Sequence, residues 1–413
     1  MGRGLKTIIG AVVLVAAVIG LEMGLEHILP DAAWRQVALF AMVNVVVALS
    51  LNVINGMAGQ FSIGHAGFVG IGAYTAAIVA SHLHQSLGGG EVTFAHSFIV
   101  MPAAIASAAV AAALFGVIVG LPSLRLRGDY LAIVTLGFAE IFRLVIATAQ
   151  TGGTAQGAVG RFLASLGGQN GYAGTDGTGV PQYAGPFWIF GAVALGTIIC
   201  WRLKFSGWGR ALRALREDEI ASAAVGVDPT SYKVTSFVIA AAGAGVAGAL
   251  LASMRDGNPT VQPDQFSFMY SFDAITMVIL GGSGSVSGAI VGGVFVTITV
   301  KLIEQLQGLE SIQDLRTEYP SLDLNALRMV IYAGVLIGLM ILRPEGLFGE
   351  RELFKRGRRN APGGGPGGPG GPGGERNAPP GGAEAALAEA APTGVAVAAP
   401  STGVAVAAPA GSE

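Results

Sequence analysis

Charge is the first thing this sequence is short of. Asp, Glu, Lys and Arg make up 12% of its 413 residues, about half the share of an ordinary soluble domain. With 52% hydrophobic residues and a mean hydropathy of +0.61, the chain reads as a membrane protein. Cysteine is nearly absent too: Cys200 stands alone in an apolar run, which excludes an internal disulfide and any cysteine-built metal cluster. No basic stripe interleaved with aromatics occurs, so nucleic acid is not an expected partner. The phosphate-cradling pattern G-x-x-x-x-G-K-[ST] is missing as well, because none of the five lysines follows a glycine. The chain therefore has no usual loop for holding ATP.

What remains is a series of apolar stretches joined by short polar segments. A helix needs roughly 20 apolar residues to cross about 30 Å of hydrocarbon, and lipid forces backbone groups to be satisfied inside each segment. The expected fold is all-α: a polytopic transmembrane bundle of about ten spans, near 5–25, 34–54, 59–80, 97–120, 129–149, 186–203, 233–253, 266–282, 286–303 and 325–343. Arg3 and Lys6 precede the first stretch like a secretory signal, but no small-x-small site closes it, so it is read as an uncleaved span. Between the eighth and ninth, GGSGSVSGAIVGG fits either a tight hairpin or a dipping loop. An inside N-terminus collects most Lys and Arg on one side, including Arg202, Lys204, Arg210, Arg213, Arg216, Lys233 and the Arg351 to Arg359 cluster. Both termini are expected in the cytoplasm. Residues 1–350 are expected to form the transmembrane domain, with a charged loop at 204–230. Residues 351–413 form a basic stretch and then a Pro/Gly/Ala-rich cytoplasmic tail too poor in large apolar residues to fold.

Several residues stand out within the spans. Asn44, Asn52, Asn55, Gln60, Ser62 and His65 crowd the second and third. Each unsatisfied polar group in hydrocarbon costs several kcal/mol, so these side chains face partners or a watery path. Glu140 and Arg143, three apart on the fifth span, can neutralise each other. Asn52, Gln60, Ser62, His65, Thr135, Glu140, Arg143 and Asp273 are the candidate path residues. Glycines at helical spacing suit close helix packing. No metal site and no catalytic residue is expected.

The loop WGRALRALREDEIASAAVGVDPTSYK sets Arg210, Arg213, Glu217, Asp218 and Glu219 against Leu212, Leu215, Ile220 and Val225. That alternation predicts a short amphipathic helix stopped at Gly226, whose apolar stripe calls for a partner. On this reading Leu212 and Leu215 enter the partner's groove while Arg213 and Glu217 touch its rim.

WGRALRALREDEIASAAVGV resembles the EAA-type coupling loop of ABC importer permeases, in the form carried by LivM-type permeases for branched-chain amino acids. LSLNVINGMAGQFSIGHAGFVGIGAYTAA, LRLRGDYLAIVTLGFAEIFRLV, SFDAITMVILGGSGSVSGAIVGG and LRPEGLFG are similar to further segments of that family, in order, from about Trp34 to Gly349. Departures are a glycine-rich insertion between Thr151 and Pro181, Ala289 where the family usually has Pro, and Asp273 where Glu is common. The resemblance implies a permease subunit of the bacterial inner membrane. Its implied partners are a second permease of similar family, two ATP-binding cassette ATPase subunits that use the ATP, and an extracytoplasmic substrate-binding protein. It also implies ATPase coupling through Arg210, Leu212, Arg213, Leu215, Glu217, Asp218 and Gly226. Branched-chain amino acids lead as substrate, with other amino acids, urea or amides as alternatives.

Two competitors belong to other classes. Gly281-Gly282-Ser283-Gly284 has the form of an intramembrane serine protease nucleophile with His65 as an imaginable base, and Glu140 with Asp273 could serve a gradient-driven secondary transporter. The missing phosphate loop yields a first prediction: the purified chain alone binds no nucleotide in an equilibrium assay, and saturable ATP binding would contradict it.

Overall fold

The computed structural model describes residues 31–123, 129–149 and 157–307, with isolated positions at 20, 24, 29, 333, 334, 337, 338, 341, 346, 347 and 352. Apart from those positions, the expected first and tenth spans and the segment after Arg351 lie outside the described residues, as do Arg125, Arg127 and the Thr151–Gly153 triplet. All described positions fall in the first of two compact units, Met1–Lys355.

Eleven α-helices and no strand occur among the described residues. They are α1 (Ala32–Asn52), α2 (His65–Ser86), α3 (Phe94–Ser123), α4 (Asp129–Ala147), α5 (Gly157–Ser165), α6 (Pro186–Phe205), α7 (Gly207–Glu217), α8 (Glu219–Ala224), α9 (Pro229–Ala252), α10 (Phe268–Gly281) and α11 (Val286–Gln307). A π-helical turn, Val53–Met57, extends α1. Six helices are long and apolar enough to cross a membrane (α1 with its π turn, α2, α3, α4, α6 and α9), and α10 and α11 each carry a shorter apolar stretch. The second to ninth expected spans thus all fall on helices. The boundaries moved most in the third: residues 59–64 are non-helical and the helix runs Gly64-capped from His65 to Ser86. Local bonds explain the shift. Gln60 N donates to the Ile54 carbonyl, Asn55 Oδ1 accepts from Ser62 N, and Gly59 has φ +67°, so the backbone is satisfied without a helix.

Starts are written in the sequence. Asp31 caps α1 by accepting from Ala33 N, and Asp228 caps α9 from Thr230 N with Pro229 at the first helical position. Such residues satisfy amide groups that an opening turn leaves free. Pro186 opens α6 differently: it supplies no capping bond, but its missing N–H removes one of the free donors and its fixed φ suits a first turn.

Helices α2, α3 and α9 pack on one another, while α1, α10 and α11 form a second group joined to the first through α1 and α9. Backbones meet where side chains are smallest. A Cβ added to Gly72 would lie 2.4 Å from Gly245 Cα, and one on Gly248 would lie 2.1 Å from the Val69 carbonyl oxygen. Large apolar residues such as Leu114, Ile118, Ile133, Ile141 and Leu195 stay exposed on α3, α4 and α6, as a lipid-facing rim requires.

The segment between the eighth and ninth spans is a tight turn joining two helices. Its turn uses Gly282 at φ +115° and Gly284 at φ +85°, and Gly281 abuts Gly288 so closely that a Cβ would sit 2.1 Å from the latter's carbonyl oxygen. At the other end of the bundle the inserted stretch lies against the segment after α9. Tyr172 and Val261 exchange backbone bonds of 2.9 and 3.0 Å, and Ala184 N donates to Ser253 O at 2.7 Å.

Steric closeness makes a prediction. Gly248→Leu must displace backbone rather than a side chain, so it should cost about 3 kcal/mol and lower the melting temperature in detergent, with loss of monodisperse protein. Gly137→Ala meets nothing within 4 Å and should melt like the parent.

Candidate functional site

Three features converge at one end of the bundle: the α7–α8 elbow, the π turn after α1, and the α10–α11 turn. Ser206 leaves α6 in an extended conformation and caps α7 by accepting from Gly209 N at 3.1 Å. Asp218, at φ −149° and ψ 111°, breaks the amphipathic segment and caps α8 through Ile220 N and Ala221 N. The single helix expected between Trp208 and Gly226 is therefore two. Its stop is as expected: Gly226 has φ +92°, a conformation that favours glycine.

The elbow's orientation corrects the sequence reading. Leu212 is 0% and Leu215 5% exposed, inside this chain's own core, whereas Ile220 is 84% and Val225 80% exposed on or just after α8. An isolated segment shows that apolar residues alternate, but not which of them the rest of the chain covers. Arg213 also turns inward, donating to the Gly209 and Lys204 carbonyls at 3.4 and 3.5 Å. Arg210 donates to the Phe205 carbonyl at 3.3 Å, and Glu217 meets Arg216 at 3.4 Å. Trp208 stacks on Tyr232 of α9 with centroids 5.9 Å apart, and Lys233 of α9 pairs with Glu219 of α8 at 2.7 Å. Both arms of the elbow are thus braced on α9.

Polar side chains tie the elbow to the hairpin. Arg216 Nη1 donates to the Gly56 carbonyl in the π turn at 2.8 Å. Asn52, fully buried, donates to the Ser285 carbonyl at 3.1 Å and accepts from Gly284 N at 2.8 Å. It clamps the α10–α11 turn rather than facing a path. Glu352 completes the knot. Its carboxylate takes Lys204 Nζ at 2.5 Å, the Val286 and Ser287 amides at 2.9 and 3.1 Å, and Ser287 Oγ at 2.6 Å. A carboxylate at a helix start is favoured by the dipole and by free amides. Burial alone would push the Glu352 carboxyl up, but the bonds from Lys204, Ser287 and the two amides outweigh it and hold the group below the usual carboxylate range. Sequence reasoning missed this residue because its partners lie 65 to 148 positions away.

The other path candidates are spread out. His65 Nε2 meets Ser50 Oγ at 2.7 Å, while Ser283 is exposed on the α10–α11 turn, so the histidine imagined as a protease base is engaged elsewhere. Thr135 is fully buried, accepting from Ile63 N at 3.2 Å and donating to the Ala132 carbonyl at 3.0 Å; it joins α4 to the segment before α2. Both amide atoms of Gln60, Ser62 Oγ and His65 Nδ1 are buried without a hydrogen-bond partner among the described residues. Leaving such groups unmet costs about 1–3 kcal/mol each, so this stretch is suited to water or a passing ligand. Glu140 and Arg143 pair as expected at 2.8 Å, and Arg143 also reaches Asp264 at 2.8 Å near the opposite end of the bundle. They fasten α4 to the segment before α10. Asp273 lines a separate pocket of about 300 Å³ between α1, α10 and α11.

A bundle with six helices long and apolar enough to cross a membrane is a multi-pass membrane protein. A family model described as "Branched-chain amino acid transport system / permease component" matches residues 34–342, and the chain belongs to that family. It is 33% identical to the high-affinity branched-chain amino acid transport system permease protein LivM of Salmonella typhimurium and 34% identical to LivM of Escherichia coli K12, in each case over 75% of this chain and 69% of the relative. LivH of E. coli K12, a permease protein of such a system, is 32% identical over 37% of this chain and 43% of its own length. No solved structure matches.

The knot makes two predictions. Lys204→Met leaves a buried carboxylate uncompensated and should destabilise the protein by about 3–5 kcal/mol; the double change Lys204→Met/Glu352→Gln should cost less than the sum of the singles in a thermal-melt cycle. Because the folded-state pKa of Glu352 is depressed, its stabilisation is complete above the ordinary carboxylate value and is lost as pH falls through the lowered one. Acid melts of the parent should show that loss, and those of Glu352→Gln should show less of it.

Proposed function

We propose that this chain is the permease subunit of an ABC importer, forming with a second, similar permease the translocation path for branched-chain amino acids. Two separate ATPase subunits supply the energy and an extracytoplasmic binding protein delivers the substrate. The elbow lies on the cytoplasmic side of the bacterial inner membrane, and both termini face the same way. The chain itself binds no cofactor and catalyses no reaction.

The observation that carries the coupling role is the exposure of Ile220 and Val225 on an elbow whose two leucines, Leu212 and Leu215, are buried. Solvent-facing isoleucine and valine beside Glu217, Asp218 and Glu219 make a patch with an apolar centre and a charged rim, the composition of a docking surface. The bonds from Arg216 to Gly56 and from Lys204 to Glu352 connect that patch to the π turn and the hairpin. A displacement of the elbow by an ATPase therefore reaches the ends of α1, α10 and α11 together. The family membership and the names of the relatives support the substrate.

Copurification with the ATPase subunits, together with substrate-stimulated hydrolysis, tests the assignment. Ile220→Glu and Val225→Glu should each weaken the complex by about 1–3 kcal/mol while the permease inserts normally. Leu215→Glu should instead reduce folded protein, since that leucine is in the core. Gly226→Val should impair coupling through backbone strain of about 1–3 kcal/mol. Normal copurification and hydrolysis with both Ile220→Glu and Val225→Glu would remove the elbow from the mechanism.

A further inference from the structure

Helices α1, α10 and α11 enclose a pocket of about 300 Å³ in the half of the bundle away from the elbow, a volume at the lower end of small-molecule sites. A second pocket of about 320 Å³ shares Gln36, Phe40, Met254 and Tyr270 with it. The two form one groove leading from the loops after α9 into the membrane half occupied by α1, α10 and α11.

The lining is chemically mixed in an ordered way. Tyr270, Asp273 and Met277 recur on one face of α10, and Thr297 and Lys301 sit one turn apart on α11, as helical spacing requires. At the floor, Asn44 is 2% exposed. Its Nδ2 donates to Thr297 Oγ1 at 2.9 Å, and its Oδ1 accepts from the Tyr270 hydroxyl at 3.1 Å. These bonds fix three polar groups from three helices before any ligand arrives. Val37, Phe40, Met277 and Val296 supply apolar wall. Asp273 and Lys301 each also interact within the protein, so a ligand exchanges those contacts for its own.

The geometry points to this groove as a binding site for an amino-acid zwitterion with an apolar side chain, Asp273 receiving the ammonium group and Lys301 the carboxylate. An acid and a base in one membrane-depth pocket are costly and mark substrate routes. A ligand with only one charge meets one of them as a like charge, whereas a zwitterion satisfies both. The apolar wall accepts a branched side chain and gives no partner to a charged one. The assignment rests on the amino-acid importer reading above and places a substrate contact on this subunit, at the end where a binding protein would unload.

The test uses the whole transporter in proteoliposomes, fed radiolabelled leucine by its binding protein. Asp273→Asn and Lys301→Met should each lower uptake about tenfold or more, the effect of losing one charge-assisted contact, with the complex still assembled and hydrolysing ATP. A second measurement is independent of turnover. Val300, which lines the groove, is changed to cysteine in a Cys200→Ser background and labelled with a soluble maleimide in the assembled complex. Leucine should slow labelling, while leucinamide, which lacks the carboxylate, and 4-methyl-2-oxopentanoate, which lacks the ammonium, should not. Parental uptake in both charge variants, or labelling indifferent to leucine, overturns the site. A parental complex that takes up no leucine at all overturns the importer reading instead, and the labelling assay still decides the groove.

Discussion

Two helix backbones touch only where neither puts a side chain between them, and this steric condition governs the architecture. Gly72 against Gly245, Gly248 against Val69 and Gly281 against Gly288 set the spacing of α2 with α9 and of α10 with α11. Within lipid no hydrophobic gain separates helix contact from lipid contact, so close packing and buried polar bonds supply the cohesion. The polar bonds then collect at the ends of the bundle: the Asn52, Arg216, Lys204 and Glu352 ties at one, the Arg143, Asp264 and Gln169 cluster at the other. Packing by small residues holds the middle.

Much of this was legible in the chain because lipid permits few solutions. Apolar length located the second to ninth spans, and the pair Glu140 and Arg143, three apart, could be matched on one helix face without tertiary knowledge. Long-range partners could not. Asn52 looked like a path residue because polarity is visible in a sequence, whereas its use, pinning the hairpin turn 232 residues later, is not. Glu352 had no local signal at all. The elbow failed for a related reason: Leu212, Leu215, Ile220 and Val225 form one amphipathic list, but Asp218 takes an extended conformation and caps a second helix, so the list belongs to two helices facing different ways.

The same distinction sorts the candidate path residues. Thr135 is consumed by hydrogen bonds between segments, His65 is engaged through Nε2 alone, and Asp273 remains beside a cavity with Asn44 as neighbour. Lys301, not among those candidates, shares that cavity. Side chains serving the fold and side chains available to a ligand are the same residue types, and only their surroundings separate them.

Helix α9 extends unbroken for 24 residues, about 36 Å. It begins four positions after Val225 at the elbow, and two positions beyond its last residue stands Met254 on the wall of the distant groove. Its interlocked glycines oppose rolling, since rotation would carry bulkier neighbours of Gly245 and Gly248 into the backbones of α2 and α3. Sliding or tilting along its length is the freedom left to it. A displacement imposed at the elbow would travel along this one unbroken helix, with no kink in between to absorb it.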